Sequence, residues 1–572
     1  MPALRNRTVL RRLAWSCFVV LVALALVIGG YLTGTSHTAS ATEAAATTSA
    51  AANTPPGHAS TTNLVSGCRR GQAPPSGSRT ITLDGSSLTT ADIVDIASCR
   101  ATVRVSSAGM SRIEAARSVV NRYIDDKIPA YGITTMYGAD FKKTLPPSQI
   151  VRFGRINITQ EATRVGDGNL PLVDDGTMRA AWALLVNSFA RGYSGASPDL
   201  SNLLVDRVNS GNVPDDVEYG NSMGDADLTA NAQADMSLLA DPSFRMKPGE
   251  ATNLLTHNFI SVALAAEVVE RAKALLAAGE TSLALSMEGF RANLGPLSQA
   301  ESRQDALGSR RAVRDALRRL LAGSLLWKPN GPRQLQDFLS LRDGVENLAT
   351  LRLAIDQYTP VLEAFANSNQ GSPVVDVKGR TLTSVPDYDT TQVTLGMDTL
   401  RQALGLVVVA SNSRGLKVLS HPFTDLPSGL SSPDPLKSDG IYTRNITYIM
   451  TSLERAALLQ TQTIVPLTES YVAEGDEDYS PAFPNSVLMA ENLAVHAGQV
   501  ITLEGLIGSA AVQRRIALKQ LTIDDVPPAL RGLQRGIIKR SPFAIPITRQ
   551  YDLGPLLAYY VGAADQATAA TG

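Results

Sequence analysis

Apolar residues recur at helical spacing through most of the chain. From Ser111 to Asp126 the stripe is Ile113, Ala116, Val119 and Tyr123; from Gly249 to Ser298 it is Val262, Ala265, Val269, Ala272 and Leu276, with few breakers. Both stretches are therefore predicted helices with one face turned to a core. Two more helices are predicted over about 335–367 and 395–410. Leu83 to Ile93 reads as a short strand running into a helix: Thr89 with Asp92 three residues on is close to a capping box, and Ile93 and Ile96 open the apolar face behind it. Gly192 closes another helix as a C-terminal cap.

The first residues break this pattern. Arg5, Arg7, Arg11 and Arg12 precede an apolar run from Ala14 to Leu32, a basic flank and a segment of about bilayer length, so the chain is expected to leave the cytoplasm. Ala39-Ser40-Ala41 offers a cleavage site, whereas the length of the run suits an uncleaved anchor; the mature chain is then extracellular, or held at the membrane by this one segment. Arg11-Arg12 is read either as a twin-arginine signal or as an ordinary basic flank. Residues 33 to about 75, rich in Ala, Thr, Ser, Gly and Pro, cannot bury enough apolar surface to fold.

Composition changes the picture little. With 572 residues, 44% of them hydrophobic, the chain can bury a large core, and a net charge of −1 gives no sign of a nucleic-acid partner. Its five histidines are scattered and no Cys/His spacing resembles a zinc site. Of three cysteines, Cys17 lies in the apolar run. Cys68 and Cys99 are expected to form a disulfide outside the cell, contributing about 3–4 kcal/mol in the chain-entropy model.

Several stretches carry chemistry. Ala130-Tyr131-Gly132-Ile133-Thr134-Thr135-Met136-Tyr137-Gly138 presents a tyrosine between turn-forming residues, Asn187 to Gly195 ends a helix, and Arg303-Gln304-Asp305-Ala306-Leu307-Gly308-Ser309-Arg310 sets a glutamine and an arginine near each other. Together with Val217–Met236 they make the chain, over roughly 80–520, resemble the histidine and phenylalanine ammonia-lyase family. The resemblance implies a mainly α fold with a long central helix bundle and a smaller mixed N-terminal region. It also implies a homotetramer whose sites draw on more than one subunit. The regions expected on this basis are 1–41 as signal or anchor, 42–76 as linker, 77–250 as the N-terminal lyase-like part, 251–475 as the central bundle and 476–572 as the C-terminal part.

In that family an Ala-Ser-Gly triplet cyclises to the electrophile methylidene-imidazolone (MIO). Here the triplet falls on Gly224-Asp225-Ala226, and only Gly220, Asp227, Leu228 and Ala232 are retained around it. Asp225 has no hydroxyl to lose as water, so no MIO is expected. The resemblance makes Tyr131 the catalytic base and Arg310 the bidentate clamp on a substrate carboxylate. It places Gln304 beside the clamp and Thr256 where an asparagine would orient substrate, and leaves His257 as a structural histidine. Glu161 stands where the family has a histidine, and Tyr388 lies between Asp387 and Asp389. Glu161, Asp225, Asp387 and Asp389, beside Asp227, are all carboxylates; if they share a pocket they would share protons, bind a divalent cation or embrace a cationic substrate, although no motif supports a metal.

Three functions follow: an exported lyase or isomerase without MIO, acting on an amino-acid-like or other carboxylate substrate; an acid-initiated cyclase or metal-assisted enzyme on the same fold; or an exported binding protein in which the aspartates are loop residues and helix caps. Catalytic candidates are Tyr131, Asp225, Glu161 and Asp227, and substrate-binding candidates are Arg310, Gln304, Tyr388, Thr256, Asp387 and Asp389.

Overall fold

A computed structural model describes residues 68–137, 140–164, 171–219, 227–298, 305, 307–431, 443–464, 469–470, 479–540, 559–560, 562–564 and 567. The stretch expected as signal or anchor, most of that expected as linker, Asp225 and Gln304 lie outside the described residues.

Strand β1 (Arg79–Leu83) pairs in parallel with β2 (Ala101–Val105). Between them runs α1 (Thr90–Ala97), opened by the capping box of Thr89 and Asp92 that the sequence suggests. Then follow α2 (Ser107–Asp125), α3 (Pro147–Glu161), α4 (Asp175–Ala190), α5 (Pro198–Ser210), α6 (Leu228–Ala240) and the short α7 (Glu250–Leu255). The bundle proper is α8 (Phe259–Phe290), α9 (Ser309–Leu320), the four-residue α10 (Leu339–Arg342), α11 (Gly344–Ala366), α12 (Thr391–Val418), α13 (His421–Thr424), α14 (Thr443–Leu459) and α15 (Phe483–Ala517), followed by α16 (Pro528–Arg540). Two small antiparallel ribbons, Val374–Asp376 with Thr381–Thr383 and Glu469–Ser470 with Tyr479–Ser480, complete the described elements.

The bundle is built on α8 and α15, with 32 and 35 residues. At 1.5 Å per residue each is about 50 Å long. They pack closely because their contact is lined with small residues: a Cβ at Gly508 would lie 2.6 Å from the Ser286 backbone nitrogen. α11, α12 and α14 complete the group, and one apolar core runs from Ile81 to Ala564, through both inner boundaries drawn at 250 and 475. A smaller cluster (Ala116, Val119, Tyr123, Ile133 and neighbours) seats the Tyr131 loop. Among the described residues α12 and α15 are long and apolar enough to cross a membrane, yet 67% and 83% of their most apolar windows are buried in the protein.

A long buried helix leaves no water for stray polar groups, and two buried carboxylates here are fully engaged. Glu504 on α15 takes a two-pronged bond from Arg414 on α12, Nε to Oε1 at 2.6 Å and Nη2 to Oε2 at 2.9 Å. Asp398 receives Arg401, the Ile464 nitrogen and the Ser486 hydroxyl. These pairs fix the register of α12 against α15 and the loop before it.

The helix predicted from Gly249 breaks at Thr256–Asn258. The backbone there turns its polar groups to other elements: the Asn258 nitrogen donates to Gln370 Oε1 at 2.8 Å, and Asn231 Nδ2 donates to the Leu255 and His257 carbonyls at 2.8 Å each. These bonds satisfy groups that a continuous helix would have used internally.

Candidate functional site

The break between α7 and α8 is the junction of four segments. Asp227, at the start of α6, is 2% exposed; its carboxylate accepts from the Ser261 hydroxyl at 2.5 Å and from the Ser261 nitrogen at 2.9 Å. Burial pushes its pKa up to about 6, against the pull of those Ser261 bonds. Tyr219 reaches the same hydroxyl at 3.3 Å and the Pro484 carbonyl at 3.1 Å. Thus both ends of the stretch 220–226, which contains Asp225, are tied to the first turn of α8.

Thr256 is half-buried at the C-terminus of α7, its nitrogen bonded to the Thr252 carbonyl at 3.1 Å. His257 is buried and packed against Phe259 with the rings tilted by 30°, and burial lowers its pKa to about 3, so it stays neutral. That is a structural histidine. Asn258, completely buried, holds the Tyr388 carbonyl through Nδ2 at 2.9 Å, which brings Tyr388 to the same corner.

Tyr131 arrives from the other side. Its ring meets Tyr137 edge to face at 5.9 Å, and Tyr137 stacks on Phe153 at 5.5 Å. Thr252 on α7 clasps this loop: the Tyr137 hydroxyl is 2.8 Å from Thr252 Oγ1, which donates to the Gly132 carbonyl at 2.8 Å. Gly132 has φ +64, and a Cβ there would run into the Tyr137 ring, so the turn that presents Tyr131 needs glycine. Burial keeps the Tyr137 phenol protonated. α3, which packs on α6 and α7, ends at Glu161.

Tyr131, Thr256, Asp227 and Tyr388 are thus gathered around α7 and the head of α8. Asp387 and Asp389 flank Tyr388 but are exposed in the single chain, and Asp389 accepts from the Thr391 nitrogen at 3.0 Å and its hydroxyl at 3.1 Å at the head of α12. Arg310, on the first turn of α9, gives its Nε to Glu346 Oε1 at 2.6 Å. Glu346 is on the first turn of α11, whereas the Asn367–Gln370 segment that joins the Asn258 corner follows the last turn of the same helix. Twenty residues of helix separate the two, roughly 30 Å. Within one chain Arg310 and Tyr131 therefore sit at opposite ends of the bundle.

Asn258 is the residue the sequence reading passed over. Its Oδ1 is buried without a hydrogen-bond partner, which suits a group that waits for a donor. The only signal in the sequence is an asparagine two places after Thr256. Among the described residues no group of three or more His, Cys, Asp or Glu side chains is placed to hold a metal ion.

A bundle of very long helices with a tyrosine loop and a broken helix at one end defines an ammonia-lyase type of fold. The profile of the aromatic amino acid lyase family matches residues 88–245 and 240–522, and the chain belongs to that family. It is 22% identical over 461 residues to the histidine ammonia-lyase of Caldanaerobacter subterraneus subsp. tengcongensis, covering 77% of this chain and 89% of that one. With the histidine ammonia-lyase of Stigmatella aurantiaca it shares 25% over 460 residues, covering 76% and 88%. Among solved structures it resembles the ergothionase of Treponema denticola, with a TM-score of 0.73 and 19% identity over 86% of this chain and 99% of that one. The tyrosine aminomutase of Streptomyces globisporus is similar at a TM-score of 0.74 and 19% identity, covering 86% and 98%. The protein is accordingly an enzyme of the lyase type.

Proposed function

We propose that the protein is an exported lyase or isomerase that works without MIO on a small, amino-acid-like carboxylate, with Tyr131 as base and Arg310 as clamp. The observation that carries this is Asp225: the residues aligned with the MIO triplet, Gly224-Asp225-Ala226, do not fit that group, because a carboxylate side chain cannot lose water to become dehydroalanine. Names of the relatives, histidine ammonia-lyases and a tyrosine aminomutase, support an amino-acid-like substrate.

Without an electrophile to activate the amine, removing ammonia from an ordinary amino acid lacks many kcal/mol of barrier reduction. The chemistry that remains is an elimination or isomerisation with a better leaving group. Tyr131 takes the proton next to the carboxylate, and Glu161 or Asp225 in its protonated form assists departure. Asp227 acts by positioning, since both of its oxygens are engaged by Ser261. The carboxylate-lined pocket needed by an acid-initiated cyclase or a metal site has less support, because Asp387 and Asp389 face solvent.

The working form in this proposal is a homotetramer. Support comes from the separation of Arg310 and Tyr131, and from apolar side chains outside the core of α12 and α14: Leu395 is 60% exposed, Leu406 53%, Tyr448 68% and Leu459 64%. Intact-protein mass spectrometry is the first test: the mature mass is expected without a deficit of two waters, and such a deficit would overturn the proposal. Purified protein incubated with Phe, Tyr and His is expected to release little cinnamate, coumarate or urocanate. On the true substrate Tyr131→Phe should remove turnover.

A further inference from the structure

Arg179, in the second turn of α4, is fully buried, and no carboxylate is among its partners. Its Nη1 donates to Cys99 Sγ at 2.9 Å and to Cys68 Sγ at 3.3 Å, and its Nη2 to the Ala101 carbonyl at 2.8 Å; its Nε is shut from water with no hydrogen-bond partner. Arg401 and Arg414, each 1% exposed, instead grip Asp398 and Glu504. A buried cation without a counter-charge is costly, and a disulfide sulfur is only a weak, neutral acceptor.

The other side of the same bond is also incomplete. The Gln72 carbonyl lies 3.4 Å from both sulfurs, and a disulfide has no hydrogen to give it. Reduction supplies what each side lacks. We infer that Cys68 and Cys99 are a reversible redox couple whose reduced state is a thiolate on Cys99 held by Arg179 and a thiol on Cys68 that donates to the Gln72 carbonyl. The roles follow from position: Arg179 is nearer Cys99, and Cys68 has a second carbonyl, that of Arg69, at 3.9 Å.

The reductant is a dithiol from outside the chain. Its two electrons break the Cys68–Cys99 bond and a disulfide forms on the reductant; of its two protons, one stays on Cys68 and the other goes to solvent. The remaining charged groups nearby are more open to water. Arg69 is exposed, Arg100 pairs with Asp95, and Arg70 pairs with Asp215 while its nitrogen holds Asp175. The fold around the couple does not depend on the bond alone, because Gly71 donates to the Gly211 carbonyl at 2.8 Å and Arg70 to Asp175 at 2.9 Å. Cys68 therefore stays beside Cys99 after reduction, ready to close again.

The test compares the full chain with its Cys68→Ser/Cys99→Ser variant, in which Cys17 is the one remaining cysteine. Both are reduced with dithiothreitol, and ultraviolet thiolate absorbance is followed against pH after its removal without air; the difference reports Cys68 and Cys99. One of the two thiols is expected to titrate below about 7.5, where a free cysteine titrates near 8.5. Arg179→Gln should raise that midpoint to about 8.5 or above and shift the equilibrium with glutathione about tenfold toward the disulfide, and Arg179→Lys should recover part of both. Reduced wild type should also melt above the serine variant by a margin that grows as pH rises through the midpoint, since a group with a lowered folded pKa stabilises above it. Both proteins lack the bond, so the margin isolates the thiolate. Two wild-type thiols titrating at about 8.5 or above, or a margin that ignores pH, would overturn the inference without any Arg179 variant. So would a folded Arg179→Gln protein with the wild-type midpoint and glutathione equilibrium.

Discussion

Tyr219 and Asp227 meet on one hydroxyl, Ser261 Oγ, at 3.3 and 2.5 Å, so the stretch between them is pinned at both ends to the same helical turn. Ser261→Ala removes the shared hydroxyl while keeping the helix. It is expected to lower stability by about 1–3 kcal/mol, since the buried Asp227 oxygen loses its donor. Urea denaturation measures this, and amide exchange at Leu228–Ala232 should rise in the variant.

Glu267 gives the fold a pH dependence. It is buried on α8, pushed up to about 8 by burial and by the charge of Asp174, and accepts from Thr177 Oγ1 at 3.0 Å. A carboxyl with a raised folded pKa binds its proton more tightly in the native state. Its contribution is complete below the ordinary glutamate range and is lost as pH rises through about 8. The shift corresponds to about 4–5 kcal/mol at most. Denaturation curves between pH 5 and 9 should show wild-type stability falling relative to Glu267→Gln. Parallel curves would contradict this.

Glu504 and Arg414, 0% and 1% exposed, form the ion pair between the two long helices α15 and α12. Removing one partner strands the other charge, so Glu504→Ala is expected to destabilise by about 3–5 kcal/mol. Replacing both residues with apolar ones of similar volume should restore much of that. Guanidinium melts of the single and double variants decide the matter.

Cys68 and Cys99 are bonded in the structure, 31 residues apart, and the fully buried Arg179 donates to both sulfurs at 3.3 and 2.9 Å. The double replacement with serine is expected to cost about 3–4 kcal/mol through the released loop. Non-reducing peptide mapping checks the bond, and a thermal melt with and without a thiol reductant checks its contribution.

Local signals made much of the fold legible. The capping box at Thr89, the stripes of α2 and α8 and the Gly192 cap are properties of neighbouring residues, and each is found where the sequence put it. What escaped is set by distant partners. No proline or glycine marks the break at Thr256–Asn258; Gln370 and Asn231, far along the chain, create it. The type and motif position of Asp389 say nothing of its exposure in the single chain or of its bond to Thr391 at the head of α12.

The roughly 30 Å of helix between Arg310 and the Tyr131 corner bears on genetics as well as on chemistry. If a working site is assembled from neighbouring copies, two dead proteins can repair one another. Co-expressed Tyr131→Phe and Arg310→Met chains would rebuild some intact sites in mixed assemblies and recover a fraction of turnover, whereas each alone recovers none. Either allele, expressed beside the wild type, would in turn spoil only the sites to which it supplies the changed residue, in proportion to its share of the population.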